Sequence, residues 1–454
     1  MSLLSSYLLA AAAGNQGTTA PDNWFVVLDN NNTSYQFQTN ETRIILDSNG
    51  NPFVFGTVEN RTGVGRDVAF VAKLNTNGEL QEDKEIGVTN YHVTFKDAAI
   101  DSNDNIYMTF WYGSYTSVIA KIGSNNFLSW SRQTYISNKD VMWKRIAVDS
   151  SDNMYVTGEV EDFGFNDEAA GTLKIRASDG LTLWRRTFRQ NADNLYPQGI
   201  CIYDNNGTDE VFVAFEDLGG TDTSFILEYN TSGVLQNQYE YEFDFGGTED
   251  TNFGNIVSNG THLFVGAGID NDAGIVKINP ANGNVVDYVV YGGTNGSRGD
   301  FSNVALTPDG NYIYLLNENG TQAWLAKFST SSLSLQWQRQ ITYPSSTQRS
   351  RGITATNTDV YISAMVSAGF NNDVILAAKL PGDGSGTGTY GTGDTLEITY
   401  GLVSKSIEYP AVPPDDEINV TSRSYTDSTS NVINTSITTY YQNSGIEVEQ
   451  TNAV

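Results

Sequence analysis

Ile146-Ala147-Val148-Asp149-Ser150-Ser151-Asp152-Asn153-Met154-Tyr155-Val156-Thr157-Gly158 is the stretch that decides the fold. It reads as a strand of alternating apolar residues, a polar turn and a second strand. The pattern returns at residues 45–56, 99–108 and 304–314, and weaker copies begin at Ile200, Ile256 and Ile353. Because Asp, Asn, Ser and Gly supply turn conformations that β-branched residues avoid, each copy predicts a β-hairpin.

A third strand follows each hairpin and ends in a charged residue with an apolar or aromatic residue after it. The charged positions are Lys73, Lys121, Lys174, Glu228, Lys277, Lys327 and Lys379. Their successive spacings lie between 48 and 54 residues and average 51. That period is typical of a four-stranded propeller blade.

A fourth strand is marked by tryptophan in three copies and by weaker substitutes in two others. Trp130, Trp184 and Trp337 stand at one and the same distance before Ile146, Ile200 and Ile353, which begin the next hairpins. Gln238 and Tyr288 occupy nearby places in the weaker copies. A constant register of this kind indicates that the blades repeat along the chain.

The seventh copy lacks a fourth strand, because residues 381–388 are rich in Gly, Ser and Thr. At the other terminus, residues 24–28 form an aromatic and aliphatic strand with no first three strands. If this strand completes the seventh blade, no blade is left with an open edge at the seam. The sequence therefore predicts an all-β protein, a seven-bladed β-propeller closed by an N-terminal strand; the alternative is an array of β-sandwiches.

The repeat resembles the bacterial β-propeller repeat called SBBP, through its Asp, its small polar turn, its Asn and its Tyr-Val-Gly ending. The resemblance covers about residues 22–380, and the copies beginning at Ile200, Ile256 and Ile353 depart from it at the turn. It implies a scaffold without a fixed catalytic set, in an extracellular or virion setting. The leader, with Asn23-Trp24-Phe25 after a Leu- and Ala-rich run, is similar to virion proteins of marine bacteriophages.

The chain divides into four predicted parts. Residues 1–20 form an anchoring or docking segment, residues 21–380 the propeller, residues 381–394 a hinge and residues 395–454 a small β-rich extension. The docking segment is expected to bury Leu3, Leu4, Leu8 and Leu9 against a partner. A cleaved signal peptide is the alternative, although the run lacks the usual positive n-region and, at about eleven residues, is too short for a membrane span.

The extension has few aliphatic residues for a core of its own. We expect it to pair with a neighbouring chain or to lie along the propeller.

Charge limits the partners. The chain carries 25 basic and 53 acidic side chains, a formal net charge of −28. Such a surface repels nucleic acid and anionic membranes. The single cysteine, Cys201, excludes an intramolecular disulfide and is expected to be a buried small hydrophobe.

Chemistry-bearing motifs are scarce, and the sequence predicts no enzyme activity and no cofactor. The two histidines, His92 and His262, fall on different blades and are interpreted as structural. The recurrent aspartates are interpreted first as turn residues: Asp47, Asp101, Asp149 and Asp309. No metal is expected, and the weak candidate for calcium is a loop holding Asp204, Asn206, Asp209 and Glu210.

Three aromatic residues after a second strand, Trp111, Tyr112 and Tyr115, are candidates for binding a sugar or a partner protein. Packing between blades is the alternative for Trp111. The favoured function is a non-catalytic virion protein of a tail, fibre or capsid, which contacts other virion proteins and a host-surface receptor or glycan within a larger assembly. A secreted carbohydrate-binding or adhesin propeller is the first alternative, and a propeller hydrolase or lyase is the second.

Overall fold

In the computed structural model the chain is built from β-strands and turns, and the described residues contain no helix. The described residues are 4–9, 23–30, 37–61, 66–88, 91–113, 116–135, 141–161, 168–188, 195–217, 223–241, 251–269, 272–291, 303–319, 322–343, 347–367, 373–390, 398–402, 407–408, 433–436 and 439–443. Within these ranges no helix has the length and apolar character needed to cross a membrane.

Seven antiparallel sheets follow one another along the chain, and each is one blade. Blade 1 holds β3 (Phe37–Leu46), β4 (Pro52–Arg61), β5 (Arg66–Leu74) and β6 (Leu80–Val88). Blade 2 holds β7 (Val93–Ile100), β8 (Ile106–Tyr112), β9 (Thr116–Ile122) and β10 (Leu128–Tyr135). Blade 3 holds β11 (Val141–Val148), β12 (Met154–Glu161), β13 (Glu168–Ile175) and β14 (Thr182–Phe188). Blade 4 holds β15 (Leu195–Asp204), β16 (Asp209–Asp217), β17 (Ser224–Asn230) and β18 (Leu235–Tyr241).

The remaining three blades repeat the pattern. Blade 5 holds β19 (Thr251–Ser258), β20 (Leu263–Ile269), β21 (Asp272–Ile278) and β22 (Val285–Tyr291). Blade 6 holds β23 (Asn303–Leu306), β24 (Tyr312–Asn319), β25 (Gln322–Ser329) and β26 (Leu335–Thr342). Blade 7 holds β27 (Thr347–Ala355), β28 (Asp359–Ser367) and β29 (Asp373–Pro381), and its fourth strand is β2 (Trp24–Asn30) from the N-terminus.

The seam of the seventh blade confirms the predicted closure. Strand β2 pairs antiparallel with β29, and Trp24 lies opposite Lys379 while Leu28 lies opposite Ile375. The Oγ of Thr42 on β3 donates to the carbonyl oxygen of Ser363 on β28, at 3.2 Å, so blade 1 bonds directly to blade 7. The fold is the seven-bladed β-propeller that the repeat predicts.

The chain clusters into two compact units. The first contains residues 1–95, 305–405 and 438–454, and the second contains residues 96–304 and 406–437. In the first unit, apolar clusters fill the space between blades 6 and 7 and between blades 7 and 1. In the second unit, they fill the spaces between blades 2 and 3, 3 and 4, and 4 and 5. Blades 3, 4 and 7 therefore bury both faces, as the apolar content of their strands requires.

Short strands from both termini extend several blades outward. Strand β1 (Leu4–Leu9) pairs with β2, β30 (Gly388–Tyr390) and β31 (Ile398–Leu402) extend blade 6, β32 (Ile407–Glu408) extends blade 5, β33 (Ile433–Ser436) extends blade 2 and β34 (Thr439–Asn443) extends blade 1. The described strands of the extension thus lie along the propeller. Within the described residues, the sheets of blades 3 and 4 have four strands each.

The segment predicted as a hinge differs from that expectation in its described part, residues 381–390. The carbonyl oxygen of Gly382 accepts hydrogen bonds from Lys327 Nζ at 2.8 Å and Trp337 Nε1 at 2.9 Å. Residues 388–390 then form β30, which pairs with β31. The glycines allow a tight turn against blade 6, and the hydrogen bonds from the Lys327 and Trp337 side chains hold it in place. Residues 391–394 lie outside the described residues.

Candidate functional site

The hairpin aspartates organise the turn between the first and second strands of a blade. In Asp149 the Oδ1 accepts from the amides of Ser151 at 3.0 Å and Asn153 at 2.7 Å, while Oδ2 accepts from Tyr155 Oη at 3.0 Å. Asp47 and Asp101 accept from their own turns in the same way. The interpretation of these aspartates as turn residues is confirmed.

The sixth copy departs from the other hairpins. Thr307 takes the position of the aspartate, and Asp309 accepts from Thr307 Oγ at 2.6 Å and from the amide of Asn311 at 3.1 Å. Asp309 is therefore a turn residue, as predicted, but it is not the equivalent of Asp149.

In blades 1, 2, 3 and 7 the lysine that ends the third strand pairs with an aspartate at the turn between the first two strands of its own blade. The Lys–Asp distances are 3.1 Å for Lys73 and Asp47, 3.9 Å for Lys121 and Asp101, 3.4 Å for Lys174 and Asp149, and 3.6 Å for Lys379 and Asp359. The Lys174 Nζ also lies 4.9 Å from the ring centroid of Tyr155. In these blades the lysine has a structural role. It forms an ion pair with the aspartate, in blade 3 also packs over an aromatic ring, and so stabilises the end of the blade where the turn lies.

The tryptophans of the fourth strands join a blade to the next one. Trp184 Nε1 on blade 3 donates to the carbonyl oxygen of Thr231 on blade 4 at 2.9 Å. Its ring lies against Gly233, which has a φ of +78°, and a Cβ added to this glycine would stand 2.5 Å from the ring. Trp24, Trp130 and Trp337 donate in the same way to Thr76, Ala177 and Gly382.

A row of exposed apolar side chains lies at the same end of the blades as these turns, throughout the second unit. Its members are Phe127, 69% exposed, Leu181, 40%, Leu183, 47%, Val234, 52%, and Val286, 41%. They stand one or three residues before the position that tryptophan holds in blades 2 and 3. We call them the apolar row.

The apolar row runs from blade to blade. Leu181 follows Gly180, which packs on Trp130 of blade 2, and Val234 follows Gly233, which packs on Trp184 of blade 3. The equivalent positions in blades 1 and 6 are polar: Glu79, Gln81, Ser334 and Gln336. Scattered exposed apolar residues are ordinary, but exposed apolar residues that recur at one or both of these two positions in four consecutive blades are typical of an interaction surface. The row was not predicted from the sequence, although its residues hold fixed places before the tryptophan position.

The predicted aromatic site lies at the other end of blade 2. Trp111 and Tyr112 end β8 and are half-buried. Lys96 Nζ lies 3.9 Å from the ring centroid of Trp111, so one face of the indole is covered by a cation of the same blade. Tyr115 lies outside the described residues.

The candidate calcium loop forms hydrogen bonds within itself and with blade 3. Asp204 Oδ1 accepts from the amide of Gly207, Glu210 Oε1 accepts from Asn205 Nδ2, and Asp209 Oδ2 accepts from Ser150 Oγ at 2.6 Å. Asn206 adopts a φ of 53° in the turn. Among the described residues, no group of three or more His, Cys, Asp or Glu side chains has the arrangement of a metal site.

The histidines lie apart. His92, on the connection between blades 1 and 2, places Nδ1 2.9 Å from Asp67 Oδ2. Burial and the nearby Lys277 lower the pKa of His262, whose main-chain amide donates to Asn259 Oδ1. Cys201 is buried, as predicted, and burial raises the pKa of its thiol.

Of the predicted docking leucines, Leu4, Leu8 and Leu9 fall on β1, which pairs with β2 from Leu4 opposite Asn30 to Leu9 opposite Phe25. Leu3 and residues 10–20 lie outside the described residues. The main chain of this segment therefore extends blade 7, and its contact with a partner stays a prediction.

No family model matches the chain, and no curated protein does. A functionally unknown protein from Desulfotomaculum acetoxidans DSM 771 is 16% identical, with a TM-score of 0.44, over 79% of this chain and 99% of that one. The Dos1 propeller is 10% identical, with a TM-score of 0.44, over 83% and 92%. A luciferin-regenerating enzyme is 10% identical, with a TM-score of 0.37, over 63% and 90%.

Proposed function

We propose that the chain is a non-catalytic binding propeller of a bacteriophage virion, in which the apolar row attaches it to another protein of the assembly. The observation that carries the proposal is the row itself: five large apolar side chains in blades 2–5, each at least 40% exposed and each one or three residues before the tryptophan position. Binding of a partner over these side chains is favourable because it removes their apolar surface from water. The likeness of the leader to virion proteins supports the setting.

Charge defines the partner further. With a net charge of −28, the chain as a whole favours a partner whose binding surface is basic. Electrostatic attraction of this kind mainly raises the association rate, while burial of the row slows dissociation.

The turn networks support a structural role for the carboxylates. Asp47, Asp101 and Asp149 are engaged by turn amides and lysines, so the recurrent acids of the repeat serve the fold. The glycan alternative depends on Trp111, of which one ring face is covered by Lys96. A sugar ring would have to stack on the other face.

The proposal is tested by measuring how much of a row variant is incorporated into purified virions. The triple variant Phe127→Ser, Leu183→Ser and Val234→Ser should fold as the wild type does and be lost from purified virions, measured by quantitative mass spectrometry. The matched control is Tyr91→Ser, which changes a residue 48% exposed outside the row. Presence of the unmodified chain in culture medium but not in virions would favour the secreted alternative, and equal incorporation of the triple variant would remove the row from the proposal.

A further inference from the structure

A buried arginine lies on the fourth strand of blade 3. Arg185, in the middle of β14, is 4% exposed, and Thr187, two residues further on, is 3% exposed. Because alternate residues of a strand share one face of the sheet, the two side chains lie next to each other on that face. Arg185 stands opposite Leu173 of β13, which belongs to the apolar cluster between blades 2 and 3. The guanidinium is therefore directed into the space between these two blades.

The propeller repeat does not by itself require an arginine at this position. In every blade, the position lies opposite the residue that precedes the charged end of the third strand. In the other six blades it is held by Phe25, Asp83, Ser131, Gln238, Tyr288 and Gln338. None of these residues is basic, and the first aromatic residue, Phe25, is fully buried, as is Tyr288. An apolar side chain therefore satisfies the packing, and the arginine indicates a separate electrostatic role.

The described residues supply this arginine with no acceptor. Within them, none of the three guanidinium nitrogens of Arg185 forms a hydrogen bond, and neither does the hydroxyl group of Thr187. Burial lowers the pKa of Arg185 to about 10, which still leaves the guanidinium charged at pH 7. A buried charge without a counter-charge is costly, so a group that supplies the counter-charge stabilises the folded chain.

We propose that Arg185 and Thr187 bind a monovalent inorganic anion of the size of chloride in the space between blades 2 and 3. The guanidinium offers only hydrogen-bond donors, and the hydroxyl group of Thr187 can add one more from the same face of β14. Donors are all that a halide ion requires, since it has no hydrogen of its own to donate. One guanidinium balances one negative charge, so a dianion such as sulfate would leave an uncompensated charge in the same buried place.

Burial limits the size of the anion. The guanidinium nitrogens of Arg185 and the hydroxyl oxygen of Thr187 are enclosed by protein atoms. A bulky organic anion such as gluconate could reach these donors only if blades 2 and 3 separated, which would expose the apolar cluster between them. Chloride and gluconate therefore differ in their access to the site, although both carry a single charge.

Exchange of the anion at constant ionic strength tests the proposal. Thermal unfolding of the full chain is followed at pH 7 while sodium chloride replaces sodium gluconate stepwise, so that screening stays the same. Relative to Arg185→Met, the melting temperature of the wild type should rise with chloride and reach a plateau, as expected for a ligand that binds the folded chain. General effects of the two anions on the surface cancel in this difference. The matched control is Arg186→Met, which removes the same charge from the opposite face of β14 and should keep the wild-type response.

A second variant keeps the proposal testable if Arg185→Met disturbs folding. Thr187→Val preserves the arginine and the shape of the neighbouring side chain, and it removes only the hydroxyl group. Because a hydrogen bond to a charged group is lost, the chloride concentration that gives half of the response should rise about tenfold. The height of the plateau should stay the same, since the guanidinium still receives its counter-charge.

Bromide locates the anion directly. In crystals of the full chain grown with sodium bromide, anomalous scattering should place a bromide ion in contact with the Arg185 guanidinium. Absence of bromide from this place would overturn the proposal. Equal chloride responses of the wild type, Arg185→Met and Thr187→Val would overturn it as well, and so would bromide at Arg185 in the crystal without any thermal response in solution.

Discussion

At the scale of single residues, hydrogen bonds from neighbouring side chains and amides stabilise the buried carboxylates of the turn aspartates. Burial by itself raises the pKa of Asp101, but hydrogen bonds from Asn105, Tyr107 and Asn103 outweigh it and hold the pKa below its ordinary value. The pKa of Asp47 is lowered in the same way, by Asn51 and Lys73 against the effect of burial. The carboxylates are thus more stable as anions in the folded chain than in the unfolded one.

The pH dependence of stability follows from this sign. Because the folded pKa lies below the unfolded value of about 3.9, the contribution is fully present above that value and is lost as the pH falls through the folded pKa. The free energy of unfolding of Asp101→Asn should therefore depend less on pH below pH 4 than that of the wild type. Denaturant titrations at pH 7, 4 and 3 measure it. Asp104→Asn controls for the loss of one charge from the same turn, and equal slopes for both variants would contradict the prediction.

The contact between Trp184 and Gly233 sets a second test at this scale. Gly233→Ala introduces a side chain at a φ of +78° where a ring atom stands 2.5 Å away. Gly207→Ala is the matched control, since its φ is +87° and no atom of the described residues lies within 4 Å of the added Cβ. Both variants lose about 1 kcal/mol for the left-handed conformation, and Gly233→Ala loses roughly 1–3 kcal/mol more for overpacking. Thermal unfolding compares them, and equal losses would show that the ring moves aside freely.

At the scale of elements, the strand β2 carries the closure of blade 7. Deleting residues 1–30 removes Trp24, which is fully buried, and leaves the edge of β29 unpaired. Loss of a buried tryptophan alone costs about 3–5 kcal/mol, so we expect a large fall in melting temperature and association through the open edge. Deleting residues 1–18 keeps β2 and should preserve the fold. Calorimetry and size-exclusion chromatography distinguish the two, and a monomeric, equally stable 1–30 deletion would refute the closure.

The same elements show how far the sequence predicts the structure. Hairpins such as 146–158 carry their turn chemistry locally, and Lys174 and Trp184 have fixed places relative to it, so the blades and their closure were predictable. A β-rich extension was predicted, with a position along the propeller as one of two alternatives, but the sequence did not assign the short strands β30–β34 to particular blades. They have few apolar residues and depend on pairing with edges that only the folded blades present.

The candidate site was predicted less well than the fold. Trp111 was chosen for its aromatic ring, but the packing of Lys96 on that ring depends on the twist and pairing of β7 and β8. The apolar row was missed because Leu183, near the start of β14, and Val234, just before β18, resemble core residues in sequence although both are exposed. Exposure of an apolar side chain is decided by neighbours that are distant along the chain.

At the scale of the whole molecule, the net charge of −28 makes self-repulsion the dominant long-range electrostatic effect. Raising NaCl from about 0.01 M to 0.15 M shortens the Debye length from about 30 Å to 8 Å. The buried pairs are screened less, since Asp101 in the pair with Lys121 is 1% exposed. Salt should therefore weaken the repulsion more than the attractions, and the melting temperature should rise over this range.

Calcium separates screening from specific binding. After treatment with a chelator, melting temperatures in CaCl₂ and NaCl of equal ionic strength should agree, apart from the small difference expected between a divalent and a monovalent cation. The reason is that Asp204, Asp209 and Glu210 already accept hydrogen bonds from Gly207, Ser150 and Asn205. A bound ion at a hundred times its dissociation constant would add about 2.7 kcal/mol. A rise of several degrees with CaCl₂ alone, abolished in Asp209→Asn, would assign a calcium site to this loop, while a fall in melting temperature with NaCl would contradict the dominance of repulsion.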